Sequence, residues 1–352
     1  MLDAGVVPDW IASHQAQEGG LGSGLDGVPR PRTLAELIET YLDHHDVSQA
    51  YAPLLRLIAR EHGDLHLAEL NYAWVDDWIR DLKRRRNLAP GTIRKRKGAL
   101  QAAVAWTMVR WPEAIPVNPL EQLPTGYSRY SEADRRAAGT AKHDLERDRR
   151  LEPGERERIL ASIRGEIPSP PGQQRPLRLH YPAAVEAYFE LLVGSAMRLR
   201  EAYTLTLSQV DIDRRTIRLD RTKNGDRRDV PLFSEVAEAL RRYLATVQSE
   251  EGGMRGWRHP GERLFPFWDG SHDPLALERT TSRVSRLLRR VFAHAGCEDL
   301  RAHDLRHEAT CQLYLRTQLS DLQIAKITGH RDLRMLRRYA SLRGSELADL
   351  LP

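Results

Sequence analysis

Apolar residues recur at helical spacing through most of the chain after residue 32. Thr33-Leu34-Ala35-Glu36 reads as a capping box opening a helix whose inward stripe is Leu34, Leu37, Ile38, Tyr41 and Leu42. Similar spacing predicts helices over Tyr51 to His62, Val75 to Arg86 and Thr92 to about Arg110, the last carrying Ile93, Leu100, Val104, Met108 and Trp111. Residues 33–118 are therefore expected as an all-α domain. From Pro119 to Arg150 the pattern gives way to polar residues with Pro124 and Gly126, so 119–150 is expected as an interdomain linker. A second domain, 151–352, opens with a helix from Pro153 to Gly165, then helices over Pro182 to Val193 and Leu199 to Leu205. Thr216 to Arg221 and Arg227 to Leu232, joined at Asn224-Gly225, predict a β-hairpin. Helices resume over Leu275 to Ala295, Asp304 to Arg316, Asp321 to Thr328 and Asp332 to Tyr339. The fold class is expected to be mainly α with a small β-hairpin or sheet in the second domain.

Residues 1–32 show no sustained period and carry Gly19, Gly20, Gly22, Gly24 and Gly27, with Pro29 and Pro31, which predicts a flexible N-terminal arm. The glycines do not make a phosphate loop, since no strand pattern precedes them and no Lys-Ser or Lys-Thr follows.

With 352 residues, 41% hydrophobic and 29% charged, the chain has apolar material for two cores. No apolar run approaches the ~18 to 20 residues of a membrane helix, and no secretory signal pattern opens the chain, so no membrane partner and a cytoplasmic setting are expected. Cys297 and Cys311 are the only cysteines, which excludes a disulfide framework and a four-cysteine metal site. The net charge of +5 permits a polyanionic partner, and its distribution decides more than its size.

Between Asp81 and Lys97 stand eight cations: Lys83, Arg84, Arg85, Arg86, Arg94, Lys95, Arg96 and Lys97. Such a run is often no more than a solvated helix end. Here Arg94, Lys97 and Gln101 share a face opposite the apolar stripe, and the two clusters flank a turn at Pro90-Gly91, an arrangement that could present both to one phosphate backbone.

In the second domain Arg198 precedes a helix with Glu201 one turn on, and Lys223 stands beside the Asn-Gly turn. His303 and Arg306 are one helical turn apart, and His330 follows Gly329, nine residues before Tyr339. Two guanidiniums can grip phosphate oxygens, histidine can donate or move a proton, lysine can protonate a leaving oxygen, and tyrosine can act as nucleophile. Without a carboxylate cluster suited to Mg²⁺, this is equipment for phosphoryl transfer that needs no metal. His303 and His307 are spaced for zinc, but Glu308 lies on another face and no third ligand is suitably spaced, so no metal or other cofactor is expected.

In order and spacing these residues resemble the tyrosine recombinases, or phage integrase family. Met197-Arg198-Leu199-Arg200-Glu201 is similar to the family's first box and Lys223-Asn224-Gly225 to its hairpin lysine. His303-Asp304-Leu305-Arg306-His307 is similar to its H-x-L-R-H box, and Gly329-His330 followed by Tyr339 to its ending. Two positions depart from the pattern: Ala196 stands where a glycine is usual, with Gly194 displaced, and Met335-Leu336 replaces a small polar pair.

The resemblance implies a two-domain DNA clamp, an α-helical core-binding domain followed by a catalytic domain, and a site-specific recombinase working through a 3′-phosphotyrosyl intermediate without ATP. It makes Tyr339 the nucleophile, Arg198 and Arg306 the phosphate clamp, His303 an acid/base, Lys223 the acid for the leaving oxygen and His330 a phosphoryl hydrogen-bond donor. Glu201 and His307 become supporting residues. DNA contacts are expected from Lys83, Arg84, Arg85, Arg86, Arg94, Lys95 and Lys97, and also from the linker. Implied partners are double-stranded DNA and a homotetramer assembled on it, with accessory DNA-bending proteins as a further partner class and a nucleoid-associated location. Leu342, Leu347, Leu350 and Leu351 are expected to dock on a neighbouring protomer or to pack as a tail. A type IB topoisomerase-like relaxing enzyme is the nearest alternative within the chemistry, and a catalytically inactive DNA-binding regulator the alternative outside it.

Overall fold

The computed structural model describes residues 28–48, 50–144, 147–168, 176–220, 227–333 and 336. The chain divides into two compact units, 1–145 and 146–352. The described residues are mainly helical with one small sheet, in the second unit, which is the expected fold class. No helix among them is long and apolar enough to cross a membrane.

In the first unit, α1 (Leu34–His44), α2 (Ala52–His62), α3 (Tyr72–Arg84) and α4 (Pro90–Arg110) enclose a core that includes Leu37, Leu55, Ile58, Val75, Leu82 and Leu100, all fully buried. The starts of these helices follow from local chemistry. Thr33 Oγ1 accepts from the Glu36 N–H at 3.3 Å, and the Glu36 carboxylate accepts from the Arg32 N–H at 2.7 Å, one residue ahead of the expected capping-box partner. Asn71 caps α3 by accepting from the Trp74 N–H at 3.0 Å. Pro90 is the first residue of α4, where a missing N–H is harmless, so the turn expected at Pro90-Gly91 falls earlier, over 85–89.

The stretch expected as a linker divides between the units. Leu120 and Tyr130 are buried in the first unit, and Ser131 and Asp134 cap a short helix, α5 (Glu132–Ala138). Arg147, Arg149 and Arg150 instead bind carboxylates of the second unit: Asp304 at 2.7 Å, Glu155 at 2.6 Å and Glu308 at 3.0 Å.

The second unit begins with α6 (Glu155–Arg164), which stops at Gly165 in the left-handed conformation. Helix α7 (Pro182–Ser195) is buried over most of its length, with Tyr188, Phe189 and Leu191 inside the core. After α8 (Leu199–Tyr203) comes an antiparallel sheet in the order β1 (Val210–Asp211), β2 (Thr216–Leu219), β3 (Arg228–Pro231), with Ile217 opposite both Val210 and Val230. The expected hairpin strands are β2 and β3. The turn Asn224-Gly225 lies outside the described residues, and β1 is an unexpected third strand. An unexpected helix, α9 (Ser234–Ser249), follows and packs on α7 beside α11 (Ala302–Arg316). The remaining helices are α10 (Pro274–His294), capped by Asp273, and α12 (Asp321–Thr328), capped reciprocally by Ser320 and Gln323. Residues 1–27 of the expected arm, most of the helix expected over Asp332 to Tyr339, and the C-terminal leucines lie outside the described residues.

Candidate active site

The site forms where α7 and α12 end. Ala196, which stands where the family pattern has glycine, adopts φ +53° and ψ 18°, the left-handed conformation that glycine takes without strain. The backbone geometry is therefore reached with a side chain in place. Gly194 serves differently: an added Cβ there would lie 2.3 Å from Val236 Cγ2, so this glycine lets α7 and α9 approach.

The left-handed Ala196 aims its carbonyl oxygen at Arg306, a buried residue of α11 whose Nη1 donates to it. Arg306 Nη2 donates to the Thr328 carbonyl at 2.6 Å and lies 3.3 Å from His330 Nε2. The other ring nitrogen, Nδ1, is 2.7 Å from Thr328 Oγ1, and Thr328 is fully buried. Arg198, two residues past Ala196, sends Nη2 to the Gly329 carbonyl at 3.2 Å. Arg198, Arg306 and His330 are thus brought together around the carbonyls of Ala196, Thr328 and Gly329. These carbonyls orient the guanidiniums without neutralising them, so the cluster can grip a tetrahedral anion.

Glu201 anchors the same cluster. Its carboxylate accepts from the Arg198 backbone N–H at 2.8 Å and from Arg198 Nη1 at 2.9 Å, and it is bound in two-pronged fashion by Arg228, at 3.1 Å (Nη1) and 2.7 Å (Nη2). Burial alone would raise the Glu201 pKa, but hydrogen bonds and charge from Arg228, then the bonds from Arg198, outweigh it and hold the carboxyl below its usual value. Gly329 adopts φ +73°, and a Cβ there would lie 2.7 Å from Arg228 Nη1, so no other residue fits this position without displacement. Arg228, Thr328 and the packing role of Gly329 are absent from the expected set. Strand periodicity could have found Arg228, which shares the inward face of β3 with Val230.

His303 is exposed, one helical turn before Arg306 on α11. His307 is buried, its Nδ1 3.6 Å from Cys311 Sγ. Lys223 and Tyr339 lie outside the described residues. No group of three His, Cys, Asp or Glu residues suited to a metal ion occurs among the described residues.

In the first unit, much of the basic window is met by carboxylates distant in sequence. Asp134 receives Arg84 at 2.7 Å and Lys83 at 3.3 Å. Lys83, expected at the DNA, is buried behind that pair, where an ammonium cannot reach a phosphate. Arg86 binds Glu61 at 2.5 Å and Asp81 at 3.0 Å, and Arg94 binds Asp144 at 2.6 Å. Lys97 reaches Gln101 at 2.5 Å and lies over the Tyr127 ring, and burial lowers its pKa. Arg84, Arg85, Arg94 and Lys95 are exposed.

Residues 179–346 match the model of the phage integrase family. The shufflon-specific DNA recombinase of Escherichia coli is 30% identical over 205 residues, 58% of this chain and 43% of that protein. Tyrosine recombinase XerA of Saccharolobus solfataricus is 28% identical over 152 residues, 43% of this chain and 44% of that protein. The chain thus spans less than half the length of these two relatives. Among solved structures, the Tn1549 transposon integrase in complex with circular intermediate DNA shares the fold, with a TM-score of 0.58 and 20% identity over 92% of this chain and 100% of that one. The match to the phage integrase family model, residues 179–346, falls within the second unit of this chain.

Proposed function

We propose that this protein is a site-specific DNA recombinase that cuts and rejoins strands through a 3′-phosphotyrosyl intermediate. The observation that carries this reading is the convergence of Arg198, Arg306 and His330 on one set of backbone carbonyls at the ends of two helices. In the proposed reaction Tyr339 Oη attacks the scissile phosphorus and the bond to the 5′ oxygen breaks. The phenol proton leaves toward His303, and Lys223 protonates the departing 5′ oxygen. Arg198 and Arg306 stabilise the charge gathering on the non-bridging oxygens. The phosphotyrosyl link conserves the phosphodiester bond energy, so rejoining needs no ATP. Duplex DNA is the proposed partner, gripped by 33–118 as a core-binding domain and by the catalytic domain, with exchange performed by a tetramer. Of the expected contacts, Arg84, Arg85, Arg94 and Lys95 are exposed, the first three while paired with Asp134, Asp81 and Asp144.

The test is a cleavage trap: a nicked duplex built on the direct repeats flanking the coding sequence, incubated with wild type and Tyr339→Phe. Wild type is expected to capture the duplex covalently, and the variant to bind it without capture. Covalent product from the variant would overturn the assignment. Supercoil relaxation by a monomer without two-site exchange would favour the topoisomerase alternative.

A further inference from the structure

Two arginines share one carboxylate at this site, and they differ in surroundings. The Arg228 side chain is 4% exposed and that of Glu201 8%, whereas that of Arg198 is 30% exposed and forms the open side of the cluster. Glu201 touches both, so if Arg228 were absent its single negative charge would fall on Arg198 alone. An Arg198 that balanced Glu201 alone would keep its position and lose most of its attraction for a phosphate. Arg228 occupies both carboxylate oxygens from the protein interior, against Gly329, and its Nε has no hydrogen-bond partner among the described residues.

We infer that Arg228 is a positioning residue of the proposed active site: it offsets the charge of Glu201, so that Glu201 can fix the geometry of Arg198 while Arg198 remains a net cation for a DNA phosphate oxygen. Arg228 acts through Glu201 and touches no DNA. This role rests on the proposed phosphoryl transfer for its purpose, but not for its physics, which is a statement about where one positive charge resides.

The charge can be counted by the salt dependence of binding to a random-sequence duplex, because each lost phosphate contact lowers the slope of log K against log salt by about 0.9. Arg198→Gln is expected to lower the slope by about that amount. Arg228→Met should lower it equally, although its side chain is buried. Adding Arg198→Gln to Arg228→Met should change nothing further, and Arg228→Met with Glu201→Gln should return the wild-type slope. A purely structural ion pair, or a simple net-charge effect, would instead make the Arg198 and Arg228 changes additive. That result overturns the inference, as does an Arg198→Gln slope equal to wild type, or a failure of Glu201→Gln to restore binding. Circular dichroism on each variant checks folding. If Arg228→Met does not fold, Arg228→Lys and the Arg228→Met/Glu201→Gln pair carry the test. Wild-type slopes that fall by about 0.9 on adding Arg198→Gln are expected in both, and a lower starting slope in either overturns the inference. A non-additive cycle without covalent capture of the flanking repeats fails the recombinase reading alone. Covalent capture with an additive cycle fails this inference alone.

Discussion

His330 turns the lone pair of its Nε2 toward Arg306, and the buried Thr328 hydroxyl is the reason. Thr328 Oγ1 lies 2.8 Å from the Ile324 carbonyl, which can only accept, so the single hydroxyl proton is spent there. Thr328 Oγ1 must then accept from Nδ1–H of His330 at 2.7 Å, which leaves Nε2 of the neutral ring to accept from Arg306 Nη2. In this arrangement His330 steadies Arg306. Donation to a phosphoryl oxygen, the expected role, requires the ring to gain a proton or the Arg306 contact to open.

Thr328→Val keeps the side-chain shape and removes the acceptor that selects this tautomer. The rate of covalent capture is expected to fall about tenfold, with an unfolding free energy lowered by about 1 kcal/mol. A stopped-time cleavage assay and a denaturation curve check both, and an unchanged rate would remove the tautomer argument.

Gly329→Ala combines a left-handed backbone position with a methyl group 2.7 Å from the Arg228 guanidinium. Conformational strain of about 1 kcal/mol and the forced shift of Arg228 should together lower stability by about 1–3 kcal/mol. Because Arg198 donates to the Gly329 carbonyl, capture should fall by more than the stability change explains. Denaturation and single-turnover cleavage on the same preparation measure the two separately.

Gly194 and Ala196 should respond to very different degrees. Gly194→Ala drives a methyl into Val236, whose branched side chain cannot rotate away freely, and should destabilise the second unit by about 1–3 kcal/mol. Ala196→Gly relieves a strained φ but removes a buried methyl worth about 0.8 kcal/mol, so its net effect should stay within about 1 kcal/mol. Melting temperatures of the two variants test the contrast.

Asp134 should govern the acid stability of the first unit. Burial would raise its pKa, but the Arg84 hydrogen bond, the Ser131 cap and the Lys83 charge together hold it well below the usual carboxylate value. A carboxyl depressed on folding contributes stability that is complete above its unfolded pKa of about 3.9 and is lost as pH falls toward the folded value. Asp134→Asn, which leaves Lys83 buried without its counter-charge, should lower stability by about 3–5 kcal/mol at pH 7. The gap to wild type should narrow as pH falls below 4. Urea titrations at pH 7 and pH 3 check this, and a gap independent of pH would contradict it.

What could be read from the sequence was whatever local spacing encodes. The limits of α12 follow from Ser320, Gln323 and Gly329, and the strands of the hairpin from their alternation. Helix α9 is absent from the expected elements, although Val236, Leu240, Tyr243 and Val247 carry the same spacing as the expected helices. Arg228 escaped for a physical reason: a charged residue in a short strand suggests a solvent face, and only its register with Val230 turns it inward. The basic window was visible, but its neutralisation was not. Asp134 and Asp144 stand some fifty residues along the chain from the arginines they bind, and no local pattern announces such a partner.

The Arg306 side chain holds the last carbonyls of two helix ends, Ala196 beyond α7 and Thr328 at the close of α12. It is a keystone as well as a proposed phosphate ligand. Replacing it unties both helix ends at once, so an inactive Arg306 variant reports architecture and chemistry in one number. His303, the proposed acid/base, is exposed one turn away on the same helix and makes neither of these two carbonyl contacts.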